Sequence, residues 1–539
     1  MKQFRQPSVM TSQAHFAGVP KSEIQRSRFD RSHAHKTTFD AGYLVPVYVD
    51  EVLPGDTFNM NATAFARLST PLKPIMDNLY LDMQFFLVPY RLVWDNWQAF
   101  MGERRDPDDD PSVYTIPKWN SIGLSGCTPG SIWNYFGIPY RPSGALTQAV
   151  SALPFRAYAL IWNEWYRDQN MQDRVLVNTG DGPDTSSLTN ASLLRRGKRH
   201  DYFTSCLPWP QKGDPVIVPL GDQAPVYTSA TALVSGVQAP WHFTRTDGDP
   251  ATAATMTMSA GGQGTYSSTV TTPQVGSLYP DNLYADLQSA TSISINDLRT
   301  AFQVQRLLEK DARGGTRYIE IILAHFNVRS PDARLQRPEY LGGGTTRVNV
   351  SPIASTVDTA EVPQANLAAV GTAVGSGRWS KSFTEHGIVI GLASVRADLT
   401  YQQGIDRFWF RETRYDFYWP TLAHLGEQAV LNREIFVQGT AADDDVFGYQ
   451  ERYAEYRYKP SKISGVFQSD VASSLDVWHL SQDFAALPGL NASFMVEDPP
   501  VDRVIAVPSE PHFLADFWFD LKCDRPMPIY SVPGMIDHF

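Results

Sequence analysis

The feature that most constrains this chain is a pair of alternating runs placed near its opposite ends. In the first, Leu79, Leu81, Met83 and Phe85 fall on one side, while Tyr80, Asp82 and Gln84 fall on the other. In the second, Ala515, Phe517, Phe519, Leu521 and Cys523 oppose Leu514, Asp516, Trp518, Asp520 and Lys522. A period of two marks a strand with one face in a core and the other wetter. Strands drawn from both ends predict one sandwich built across the whole sequence, not two consecutive domains. Shorter β runs lie between them: Tyr43 to Val49, Thr57 to Arg67 after a Pro54-Gly55-Asp56 turn, and Ile388 to Val395. The last is apolar on both faces, as expected of a strand covered twice. The fold class expected is therefore mainly β, with long inserted loops and a few helices.

Three helices are predicted. Val93 to Met101 places Val93, Trp97 and Phe100 on one stripe. Phe155 to Gln169 does the same with Tyr158, Ile161, Trp162 and Trp165, a row that reads as core packing. Asn296 to Arg313 stops at Gly314-Gly315. Residues 175–290 differ from the rest, being rich in Ser, Thr, Ala and Gly, and 251–272 hold almost no charge or bulk. Such a stretch cannot supply a large core, so it is read as an inserted surface excursion on a single domain spanning 37–539.

The 539 residues carry a net charge of -11, which excludes coating nucleic acid by bulk electrostatics. Against that background residues 1–36 stand out, with Lys2, Arg5, Lys21, Arg26, Arg28, Arg31 and Lys36 facing only Glu23 and Asp30. They predict a basic arm, extended when alone, that meets phosphate or a neighbouring subunit. Cys127, Cys206 and Cys523 form no CxxC pair and are expected to be buried small hydrophobes in a reduced compartment. The first residues lack the apolar core of a signal peptide, and no apolar run approaches the roughly 20 residues that span a bilayer, so membrane insertion is not expected.

Signs of catalysis are poor. Gly342-Gly343-Gly344 is followed by Thr345 and lacks the lysine of a phosphate loop, and Gly261-Gly262-Gln263-Gly264 is equally weak. His33-Ala34-His35 has no third ligand at suitable spacing, and Asp108-Asp109-Asp110 and Asp443-Asp444-Asp445 lack the alternation of a calcium loop. No cofactor, metal or catalytic residue is expected. A carbohydrate-active β-sandwich protein or a lectin-like module stays as the alternative, since dense aromatics suit sugar stacking as well as subunit packing.

Five blocks then point further: Arg28 to Asp56, Asp77 to Glu103, Arg337 to Thr356, Gly448 to Phe467, and a tail ending at Gly534. In this order they resemble the major capsid proteins of the gokushovirus-type Microviridae, less closely between about 170 and 290. The resemblance implies an eight-stranded antiparallel jelly roll and a structural role, not an enzyme. It implies a T=1 icosahedral shell of sixty copies with pentameric and trimeric contacts, enclosing a circular single-stranded DNA genome and assembled in the cytoplasm of a bacterial host. Further partners implied are a small basic DNA-packaging protein, a minor pilot protein and a host surface receptor. The receptor is expected at a three-fold protrusion formed by the excursion, for which Trp241, Gly261, Gly262, Gly264 and Tyr266 are the candidate contacts.

Overall fold

The computed structural model describes residues 25–530, except 104–105, 107–109, 111–112, 121–126, 141–147, 355, 357–363 and, within 217–294, all but six short strands. Two compact units result: residues up to 210 together with those from 315 onward, and residues 211–314.

The first unit is organised by nine strands: Ser27–Asp30 (β1), His33–Phe39 (β2), Val45–Val52 (β3), Thr57–Leu68 (β4), Leu79–Pro89 (β5), Glu339–Ala354 (β6), Leu367–Ser382 (β7), Gly387–Ala397 (β8) and Phe513–Arg525 (β9). Every pairing among them is antiparallel. One half of the sandwich runs β2-β9-β4-β7, with β1 also on β9, and the other runs β6-β5-β8-β3. This is the eight-stranded jelly roll, with β1 continuing the line of β2 along β9. The two halves are joined by β6, whose residues 339–348 pair with β5 and whose residues 349–354 pair with β7. The Gly342-Gly343-Gly344 run lies in the β5-paired part of β6, close to β7 at Ser376. A methyl group on Gly343 would overlap the carbonyl oxygen of Met83, and one on Gly344 that of Ser376. Glycine is used here for close backbone approach and not for phosphate.

Between the halves, Phe39, Phe58, Phe85, Trp379, Phe513, Phe517 and Phe519 form the centre of the main core. The alternation of the final strand is borne out: Phe517 and Phe519 are fully buried and Trp518 is half exposed. Each such ring withdrawn from water contributes about 1.5–3 kcal/mol. All three cysteines are buried and free, as expected.

The long insertion after β5 covers the outer face of β5 and β8. Phe86, Val88, Ile388, Ile390 and Leu392 pack there against Trp94, Trp97, Phe155, Tyr158 and Trp162. The predicted wetter face of β5 needs correction, because Asp82 is buried and held by Arg196 at 2.7 Å and Arg396 at 3.0 Å. The helix of this layer, Leu153–Ile161 (α1), is shorter than predicted and continues as a π turn over Trp162–Tyr166. Trp162 donates to the Arg195 carbonyl, Asn163 to that of Val175 and Trp165 to that of Pro338. Three neighbouring side chains tied to three separate segments favour the wider turn. Buried Arg156 fixes α1 by donating to both carboxylate oxygens of Asp184 and to the carbonyls of Val93 and Gly180. The first predicted helix is reduced to Trp97–Phe100. A third core, around Tyr202, Phe203, Tyr401, Val430 and Phe447, forms where the insertion after β5 packs on the excursion between β8 and β9.

The second unit contains a four-stranded antiparallel sheet of Trp241–Arg245, Ala254–Met258, Gly264–Ser267 and Leu278–Pro280, and the helix Ile295–Arg313 (α2), close to its predicted bounds.

Candidate nucleic-acid interface

The half β2-β9-β4-β7 buries one face in the core and leaves the other open among the described residues. Because the strands are in fixed register, the open side can be read row by row. In one row Val374 of β7, Phe65 of β4, Asp516 of β9 and Lys36 of β2 lie side by side. The next holds Ser376, Thr63, Trp518 and Ala34, and the row on the other side holds Thr372, Arg67, Leu514 and Thr38. Toward the opposite end come Arg378 with Asn61 and Asp520, then Ser380 with Asn59 and Lys522. Phe65 is 48 % exposed, Trp518 50 % and Val374 66 %. Single exposed apolar residues are ordinary, but two aromatics set among cations, amides and hydroxyls on one sheet face have the chemistry of a stacking platform.

The charges on this face are of two kinds. Lys36 pairs with Asp516 at 3.3 Å, Lys522 with Asp30 at 2.5 Å, and Arg28 makes a forked pair with Asp524 at 2.8 and 3.0 Å. Hydrogen bonds from Lys522 and Ser32 hold the Asp30 carboxyl down at about 2, so that pair stays ionised at ordinary pH. Arg67 and Arg378 are different. Both are exposed and neither has a carboxylate partner among the described residues; Arg378 donates only to the Asn61 side chain at 3.0 Å. They are free to take phosphate.

The sequence-predicted residues fall into three groups. Arg28 and Lys36 sit on strands at the edge of this face, and Arg26, just before β1, reaches Thr57 at its rim. Arg31 turns elsewhere, forming a part-buried fork with Asp50 of β3 that clamps the link between β1 and β2 to the other half of the sandwich. Lys2, Arg5, Lys21, Gly261 and Gly262 lie outside the described residues. Trp241, Gly264 and Tyr266 lie in the short strands of the second unit. The stretch predicted as a basic arm enters the sheet from Ser27 onward, because β9, near the far end of the chain, supplies its pairing partner.

Phe65, Trp518, Arg67 and Arg378 were not singled out by the sequence reading. The available signal was a large aromatic standing on the polar phase of an alternating strand. No group of three His, Cys, Asp or Glu side chains among the described residues is placed to share a metal ion.

The family described as capsid protein (F protein) matches residues 17–535. The capsid protein VP1 of Bdellovibrio phage phiMH2K is 46 % identical over 535 residues, covering 98 % of this chain and 99 % of that protein. The capsid protein VP1 of Chlamydia phage 1 is 44 % identical, covering 98 % of each, and that of Spiroplasma virus 4 is 38 % identical, covering 96 % and 97 %.

Proposed function

Since the chain belongs to the capsid protein (F protein) family and its work is structural rather than catalytic, we propose that it closes into a shell around single-stranded DNA, with the open face of β2-β9-β4-β7 turned toward the genome. The carbohydrate-active alternative gives way to the family assignment. The observation that carries the proposal is the combination of half-exposed Phe65 and Trp518 with Arg67 and Arg378, which lack acidic partners. Stacking on rings tolerates any base, and un-neutralised guanidinium groups bind phosphate through release of counterions.

The finer arrangement follows the same reading: a T=1 shell of sixty copies with pentameric and trimeric contacts, built in the host cytoplasm around a circular genome. The basic arm, with Lys2, Arg5, Lys21 and Arg26, meets DNA or a neighbouring subunit. A separate small basic protein supplies the positive charge that this acidic chain lacks, and a minor pilot protein accompanies the genome. The excursion, with Trp241, Gly261, Gly262, Gly264 and Tyr266, meets the host receptor. Its small-residue composition and its compact separation as residues 211–314 support that role.

Two measurements test the reading. Replacing Trp518 by Ala is expected to weaken binding of an unstructured oligonucleotide by about 1–3 kcal/mol, the worth of one stacked base. The double change Arg67→Gln and Arg378→Gln should lower the slope of log affinity against log salt by about 1.4, two phosphates' share on a single strand. Unchanged affinity and unchanged slope would turn the open face away from the genome. For the excursion, exchanging 241–272 between related phages should change adsorption to host cells.

A further inference from the structure

A second aromatic surface lies in the excursion between β8 and β9, and its chemistry differs from that of the open sheet. Phe408, Trp409, Tyr415, Phe417, Tyr418, Trp419, Tyr456 and Tyr458 are all between 42 % and 71 % exposed. Contacts link them into one shelf. Phe408 and Trp409 meet as a tilted pair with ring centroids 4.6 Å apart, Tyr418 meets Tyr453 and Tyr456, and Arg411 lies over both Phe417 and Tyr456. Beside the rings opens a cleft of about 370 Å³ whose wall includes Ile405, Phe408, Arg411, Tyr456 and Tyr458.

The shelf is held in shape without regular secondary structure. Its backbone is a series of single 3-10 turns at Arg407–Phe410, Arg414–Asp416 and Pro420–Leu422. These are pinned by Arg407 on the Ala429 carbonyl and Glu434, by the Trp419 indole on the Arg414 carbonyl, and by the Tyr453 hydroxyl on the Tyr415 carbonyl. Rings fixed in this way lose little freedom when they are covered.

The charge pattern disfavours nucleic acid. Between 405 and 462 there are eight Lys or Arg and ten Asp or Glu, a local balance of -2. The cations are also occupied: Arg407 by Glu434, Arg411 by Glu455, Arg433 by Asp444, Arg457 by Glu451, and Lys459 and Lys462 by Asp406. Arg414 and Arg452 lie over Tyr415 and Tyr453. A surface rich in Tyr, Trp and Arg with its charges internally matched has the composition of a protein–protein interface core. Eight aromatic side chains of about 150–250 Å² each, roughly half uncovered, leave on the order of 800 Å² in water, close to one partner's share of a standard interface. That exceeds what a monomer ordinarily leaves exposed.

We propose that this shelf and its cleft are a contact between copies of the chain: the rings of residues 408–419 and 456–458 are covered by a second subunit when the shell closes. The inference rests on the assembly reading above and assigns that reading a surface.

Hydroxyl-radical footprinting of the full chain, read by mass spectrometry, tests it on free subunits, filled shells and shells emptied of DNA. At least a tenfold loss of reactivity at Trp409, Phe417 and Trp419 is expected in both kinds of shell. Shells in which these residues react as in free subunits would overturn the inference and leave assembly standing. Protection that vanishes with the DNA would overturn it in favour of nucleic acid. A wild-type chain that never forms particles would remove the assembly reading and this one together. As a second arm, the double change Trp409→Ala and Phe417→Ala should leave the melting of free subunits unchanged while lowering the yield of particles at least tenfold; normal yield would count against the contact.

Discussion

In the β6-β5-β8-β3 half of the sandwich every residue of β8 is buried, and even the outward-facing Asp82 is closed in by two arginines; in the β2-β9-β4-β7 half, Phe65 and Trp518 stand half in water. Both halves share the same inner core. They differ in what the insertions do, since the layer built around α1 covers one outer face and leaves the other. A strand buried twice is specified by packing on both sides, whereas a strand buried once has a face free to answer to a ligand. Substitutions of the same kind should therefore have opposite consequences in the two halves.

The largest effect is expected in the covering layer. Asp184→Ala leaves the Arg156 guanidinium charged and unpaired in a fully buried site, and should cost about 3–5 kcal/mol, measured by urea unfolding. This pair also predicts a pH dependence. Burial raises the Asp184 carboxyl, but hydrogen bonds from Arg156 and Thr189 outweigh it, and the group titrates below the ordinary carboxylate value. A depressed carboxylate contributes fully above its unfolded value of about 4, and the contribution is lost as pH falls through the folded value. The urea midpoint should thus drop as pH falls below about 4, and drop less in Asp184→Asn.

A smaller effect is expected where the halves meet. Gly343→Ala drives a methyl into the Met83 carbonyl and should cost about 1–3 kcal/mol, with the loss seen as a lower melting temperature. The smallest belongs to the open half. Trp518→Ala should change stability by no more than about 0.5 kcal/mol, although it removes the largest ring on that face. If Trp518→Ala were as disruptive as a core substitution, the face would be structural and the contrast between the halves would collapse.

The extent to which the sequence could be read follows the same division. The final strand was legible because its alternation is local and one side really is wet. The second face of β5 was not, because Asp82 is buried by Arg196 and Arg396, which lie in other parts of the chain. The helix ending foretold at Gln169 gave way at Trp162 for the same reason: its side chains answer to carbonyls at 175, 195 and 338. Within the candidate interface, composition revealed the basic stretch but could not show that Ser27 to Phe39 pairs with β9. The exposed rings were visible as residues out of phase, though only cross-strand register gathers them on one surface.

The position of β9 sets a schedule for synthesis. It lies between β2 and β4, among the first strands made, yet it is the last of the described strands to leave the ribosome. Until translation has passed residue 525, two early strands keep open edges and the rings of Phe39 and Phe58 lack their cover. Chains ended before β9 are thereby denied a finished sandwich.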